Sequence, residues 1–150
     1  MISLEKFLGM FAGVAVFCAA SATAQTISPA PFTQAQSDAG RQIYAASCAS
    51  CHGDRMESKG APPLAGKEFA GGAFAKRPVA QLYNFIHNSM PFCEGGSLAT
   101  DAYVNVLAFL LQANGAKPGG DPLTPTTEVK LGDIITGETP PGFFQPAKSN

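Results

Sequence analysis

Two thiols and an imidazole stand together in Cys48-Ala49-Ser50-Cys51-His52. Thiols separated by two intervening residues can reach vinyl groups on neighbouring pyrroles of one haem and add to them as thioethers. The histidine that follows is then turned under the iron as its proximal ligand. The same residue types admit a second chemistry, a structural zinc held by Cys48, Cys51, His52 and a fourth donor such as Cys93. A denaturing gel separates the two readings, because only a covalently attached porphyrin stays with the unfolded chain.

The start of the chain sets the compartment in which these thiols would work. Lys6 precedes an apolar run from Phe7 to Ala20, and Ala22-Thr23-Ala24 supplies small residues before Gln25. This pattern predicts a secretory signal peptide over 1–24, cleaved near Ala24, and hence a periplasmic protein. The run is shorter than the roughly 20 residues of a membrane-spanning helix, so no stable span is expected after cleavage. Cys18 follows bulky Val16 and Phe17 rather than the small residues of a lipoprotein site, and is expected to leave with the signal. Losing Glu5 and Lys6 together keeps the formal charge at -1, and nothing in the remainder is basic enough to imply nucleic acid. Basic residues Arg55, Lys59, Lys67, Lys76 and Arg77 precede a more acidic later part containing Glu94, Asp101, Asp121, Glu128, Asp133 and Glu138.

The elements that must position the motif can be read from pattern. An extended leader is expected over 25–36, then a first helix from Ser37 or Asp38, either of which can cap exposed amides. Gly40, Ile43 and Tyr44 fall at helical spacing, and the cost of Gly40 inside a helix has an explanation if another helix crosses there. Gly53 to Gly72 reads as a loop around the proximal side of the cofactor. A second helix is predicted after Pro78, with Leu82, Phe85 and Ile86 on one side, ending before Pro91. A third starts around Thr100, a potential N-cap. It carries the stripe Val104, Leu107 and Leu111, widened by Tyr103 and Leu110, and stops at Asn114-Gly115. The remainder, 116–150, is rich in proline and glycine. It reads as an extension wrapped over the domain or ordered against a partner, with a short strand or turn within 129–135 and an apolar anchor at Gly142-Phe143-Phe144.

These residues together resemble a class I c-type cytochrome. The likeness rests on a leading helix into Cys48-Ala49-Ser50-Cys51-His52, the Pro62-Pro63-Leu64 loop, the Met90-Pro91 element and the closing helix. It covers Ser37 to Asn114-Gly115 and implies an all-α fold, about three main helices around one covalent haem c, with the cytochrome domain over 37–115. A narrower similarity, from Met90-Pro91-Phe92 through Gly95-Gly96-Ser97-Leu98 to Tyr103 and Leu107-Ala108-Phe109-Leu110-Leu111, is to cytochrome domains associated with quinoprotein (PQQ-dependent) alcohol dehydrogenases.

The resemblance implies that Cys48 and Cys51 carry the haem and that His52 and Met90 are its axial metal ligands. A thioether favours ferrous iron relative to a second imidazole and raises the reduction potential. His87 is the rival to Met90, one helical turn earlier. By the family's Gly-Pro-x-Leu-x-Gly loop, Ala61-Pro62-Pro63-Leu64-Ala65-Gly66 places the Pro62 carbonyl as acceptor for the proximal histidine and Leu64 against the haem. Ala61 departs from that pattern, where the family has glycine. Tyr83 and Phe74 read as packing or as lining of the distal pocket. Cys93 is left as an unpaired thiol, expected to be buried as a small hydrophobe, or else available for an intermolecular disulfide or reaction near the haem edge.

The implied function is single-electron transfer rather than enzyme catalysis. The donor would be a periplasmic PQQ-dependent dehydrogenase, and the acceptor another cytochrome or a terminal oxidase of the respiratory chain. A tightly bound cytochrome subunit of a dehydrogenase complex is the alternative. A haem enzyme or sensor with an exchangeable distal ligand is a third reading, and would differ in its reaction with peroxide or carbon monoxide.

Overall fold

A computed structural model describes residues 29–145. The expected signal peptide and the last five residues lie outside that range. Among the described residues the regular structure is helical, apart from isolated bridges. Three longer helices, α1 (Gln34–Ser47), α4 (Val79–Ser89) and α5 (Thr100–Ala113), are accompanied by single turns at α2 (Ala49–His52), α3 (Lys67–Ala70) and α6 (Leu131–Ile134). The fold is all-α, as the sequence implied.

Helix α1 begins earlier than the predicted start. Thr33 is its N-cap: the hydroxyl accepts from Gln36 N–H while the Gln36 side chain accepts from Thr33 N–H, closing a capping box. Ser37 and Asp38 therefore sit inside the helix and cap nothing. The Gln36 amide works twice, since it also bonds both the N–H and the carbonyl of Leu123. Thr33→Ala should remove about 1 kcal/mol of stability. In thermal unfolding that corresponds to a midpoint lower by about 4 °C.

Helix α5 is buried on nearly every side, with Tyr103, Val104, Val106 to Leu111 and Ala113 all enclosed. A helix apolar all round belongs at the centre of a core rather than on its surface. One apolar cluster sets Val104, Leu107 and Leu111 against Val79, Leu82 and Tyr83 of α4; another sets Val106, Phe109 and Leu110 against Tyr44 of α1 and Met56. Thr100 is the first helical residue of α5, and the cap position before it falls to Ala99, which contributes no side-chain bond.

The crossing of α1 over α5 explains Gly40. A Cβ there would lie 1.9 Å from the Asn105 carbonyl oxygen and 3.0 Å from the Cβ of Phe109. Only a residue without a side chain lets the two backbones meet so closely.

The leader and tail do not behave as loose extensions. Ala30 and Phe32 are buried, and the leader pairs through Ala30 N–H to Lys117 O and Gly119 N–H to Phe32 O. In the tail, Leu123, Leu131, Ile134 and Ile135 join the core, and 131–134 forms a helical turn where the sequence suggests a short strand or turn. The tail also completes α4. Pro78 gives that helix no side-chain cap, and the first free amides, Val79 and Ala80, donate instead to Val129 O and Thr127 O at 2.9 Å each. Phe143 stacks on Phe109, and the Arg41 guanidinium lies over both rings while donating to Phe143 O. The expected apolar anchor is thus engaged within the chain itself.

Candidate haem site

The Cys-x-x-Cys-His run occupies the turn at the C-terminal end of α1. Cys48 ends α1 and caps α2, and Cys51 and His52 lie within α2. Gly53, at φ 86°, then leaves the helix. The Tyr44 hydroxyl, buried under the turn, donates to Gly53 O at 2.8 Å and fixes where the motif ends. Burial pushes the Tyr44 phenol well above its ordinary value, so it remains a donor at any ordinary pH.

The loop after Gly53 folds back on the motif. Ser58 N–H bonds His52 O, while Lys59 N–H and Ala61 N–H both bond Cys51 O. Met56 is fully buried and its carbonyl receives Leu64 N–H. Ala61, the departure from the family loop, causes no conflict: it is absent from the left-handed conformations, and Gly60 at φ 117° takes the unusual geometry instead. The loop ends with the His52 Nδ1 atom 2.8 Å from Pro62 O. A ring N–H committed to a carbonyl fixes the tautomer and leaves Nε2 as the free lone pair.

The donor set suits a thioether-linked haem. Cys51 is exposed and Cys48 half-buried on one turn, while His52 is 8% exposed with its Nδ1 committed to Pro62 O. Burial raises the free Cys48 thiol to about 11. Leu64 and Ile86, packed in the same cluster as Cys48 and Ala49, are only half-buried, and elsewhere Phe85 and Phe92 are 46% and 81% exposed. Apolar surface of this kind fits a flat hydrophobic ligand. The zinc alternative finds no support, because no three His, Cys, Asp or Glu side chains are gathered into a metal site among the described residues.

Met90 is half-buried at the end of α4, where its backbone leaves the helix in an extended conformation. Three contacts fix the segment that carries it. The Tyr103 hydroxyl donates to Met90 O at 2.8 Å, Gly96 N–H donates to His87 O, and Gly95 packs so closely on Asn88 O that a Cβ would fall 2.1 Å from it. His87 is otherwise engaged: its ring packs on Tyr103 and Tyr83, and its Nδ1 lies 3.0 Å from Asn88 Oδ1. Phe74 packs on Phe85, and Tyr83 is a core residue. Cys93 is exposed, contrary to the expected burial, because it occupies a left-handed position (φ 67°) at the tip of this segment.

The Tyr103 hydroxyl makes a bond to the Met90 segment that the apolar stripe does not announce, although its ring is in the core as a stripe residue should be. Tyr103→Phe keeps the ring but leaves Met90 O without its donor, at a cost of about 1–3 kcal/mol. The Met90 segment should loosen. Were Met90 to bind the iron, imidazole added to the ferric holoprotein would displace it at lower concentration in this variant, measured by loss of the near-infrared sulfur-to-iron absorption.

A family model described as "Cytochrome C oxidase, cbb3-type, subunit III" matches residues 35–110. A thiosulfate dehydrogenase of Stutzerimonas stutzeri (strain A1501) is 36% identical over 77 residues, which is 47% of this chain and 25% of that protein. The chain thus spans about a quarter of the length of this curated relative. The crystal structure of the sulfane dehydrogenase SoxCD from Paracoccus pantotrophus aligns with a TM-score of 0.48 and 26% identity, over 84% of this chain and 66% of that one.

Proposed function

The chain belongs to the cytochrome family described as cytochrome c oxidase, cbb3-type, subunit III, and from that premise we propose that it is a monohaem electron carrier serving a dehydrogenase in the periplasm. Its cofactor is covalently bound haem c, which when bound supplies a one-electron ferric/ferrous couple. Cys48 and Cys51 hold it through their sulfurs. His52 offers Nε2 as proximal ligand, and the Pro62 carbonyl holds the opposite ring nitrogen, fixing ring orientation and basicity. Met90, on a segment held by Tyr103 and the Gly95-Gly96 turn, would supply the second ligand to the iron, and Leu64 would pack against the group. Fixed ligands on both sides keep reorganisation small, which is what a carrier requires.

The observation that carries this reading is the His52 Nδ1 to Pro62 O contact at 2.8 Å, directly after the half-buried Cys48 and exposed Cys51 of the haem-attachment run. Among the described residues no helix is long and apolar enough to cross a membrane. For the donor, the relative named a thiosulfate dehydrogenase favours an enzyme oxidising an inorganic sulfur compound. The PQQ-dependent alcohol dehydrogenase association rests on the resemblance of residues 90–111 and has no support from these relatives.

The test is a denaturing gel stained for haem, followed by potentiometric titration of the holoprotein. One thioether-linked haem and a reversible one-electron wave are expected. A bare polypeptide after maturation in a host able to attach haem would refute the proposal. Stopped-flow mixing with a purified sulfur-compound dehydrogenase or a quinoprotein dehydrogenase, each with its substrate, then identifies the class of donor by which one reduces the haem.

A further inference from the structure

We infer that Asn114 is a positioning residue for the proximal ligand, holding the loop that presents the Pro62 carbonyl to His52 and coupling it to the C-terminal segment. The inference rests on the reading of His52 as a haem ligand. Asn114 ends α5 with none of its surface exposed. Its side-chain oxygen accepts from Gly66 N–H at 3.0 Å, and its side-chain nitrogen donates to Leu64 O at 2.8 Å and Leu110 O at 2.9 Å. Two of these partners lie on the loop 61–66, and the third ties the amide to α5. An amide is suited to this task because it donates and accepts at once, so a carbonyl and an N–H of the loop are both satisfied by one side chain.

The backbone of Asn114 does a second job. Its carbonyl accepts from both Thr136 N–H at 2.9 Å and Gly137 N–H at 3.0 Å. Gly137, at φ 72°, packs so that a Cβ would sit 3.0 Å from Gly66 O and 2.8 Å from the Cβ of Ala70. The loop is therefore enclosed between the end of α5 and residues 136–137, with Asn114 bonded to both. Only the stretch from Pro62 to Leu64 separates these bonds from the His52 contact, and Leu64 N–H is itself held by Met56 O. Without Asn114, a partly buried N–H and carbonyl lose their partners, and the loop is no longer held against the end of α5. The His52 N–H bond then weakens, the imidazole becomes less basic, and the ferric state is less favoured.

The experiment uses holoprotein in which Asn114→Ala and Asn114→Ser are compared with Gln112→Ala. Gln112 lies on the same helix and pairs with Gln34 and Ser37 of α1, so its loss destabilises the fold without touching the loop. The Asn114 variants should raise the potential, increasing the ferrous-to-ferric ratio at fixed solution potential by roughly three- to tenfold, where tenfold is about 59 mV for one electron. Deuterium exchange at the His52 ring N–H of the ferrous protein should accelerate by a similar factor. Gln112→Ala should change neither.

Asn114 variants with unchanged potential and exchange, or a Gln112→Ala shift of equal size, would overturn the inference. Should the Asn114 variants fail to accumulate, exchange in the unmutated protein decides: Gly66 N–H and the His52 ring N–H should lose protection together as denaturant rises, and independent exchange would overturn it. A wild-type chain without thioether-linked haem would instead refute the functional reading, and is detected before any potential is measured.

Discussion

Replacing Met90 by alanine should abolish the near-infrared sulfur-to-iron absorption and lower the reduction potential by on the order of 0.1–0.3 V, a substantial part of the roughly 0.8 V that axial ligands command. The direction follows from the thioether, which stabilises ferrous iron relative to nitrogen or water donors. His87→Ala is the matched comparison, one helical turn away. Its ring already packs on Tyr83 and Tyr103, with its Nδ1 beside Asn88 Oδ1, so its removal should leave band and potential nearly intact while loosening the aromatic packing. The reverse pattern in a visible and near-infrared titration would make His87 the ligand.

Gly40→Ala should have the largest effect on folding. Alanine gains about 1 kcal/mol in a helix interior over glycine. The added Cβ would nevertheless lie 1.9 Å from the Asn105 carbonyl oxygen, which is backbone and cannot rotate away. Separating α1 from α5 disturbs the packing of Tyr44 on Phe109 and loosens the turn carrying the cysteines, at about 3 kcal/mol or more. The clash outweighs the propensity gain. With total stabilities of about 5–15 kcal/mol for small domains, denaturant titration should show a clear net loss of about 2 kcal/mol or more. An unchanged or raised midpoint would mean that the helices do not cross at this point.

Gly40 is legible in the sequence because an unfavourable residue inside a periodic helix requires a reason, and a close crossing is the commonest one. The cysteine-histidine run is legible because its chemistry is local. Thr33 carries a signal too, with Gln36 three residues later in the capping-box pattern, but Ser37 and Asp38 are equally good capping types and lie nearer the periodic residues. Asn114 can be read as a helix stop, whereas its partners Leu64 and Gly66 lie 50 and 48 residues away, beyond any local pattern. The tail is legible only in outline, as a segment wrapped over the domain, for a related reason. Its prolines and glycines signal irregular backbone, and irregular backbone can be as well packed as a helix when its buried side chains and amides find distant partners. Burial is the natural expectation for Cys93 because isolated cysteines are usually inside, and the left-handed turn after Met90-Pro91 carries it outward.

The reliance of α4 on Thr127 and Val129 for its first turn orders events during biosynthesis. The cysteines at 48 and 51 leave the ribosome long before the carbonyls at 127 and 129 that close α4. Native contacts spanning about 50 residues cannot form until both ends are available. The first turn of α4 therefore stays unsatisfied until residues 127–129 are in place, so the start of this helix is completed by chain that lies beyond α5 in sequence.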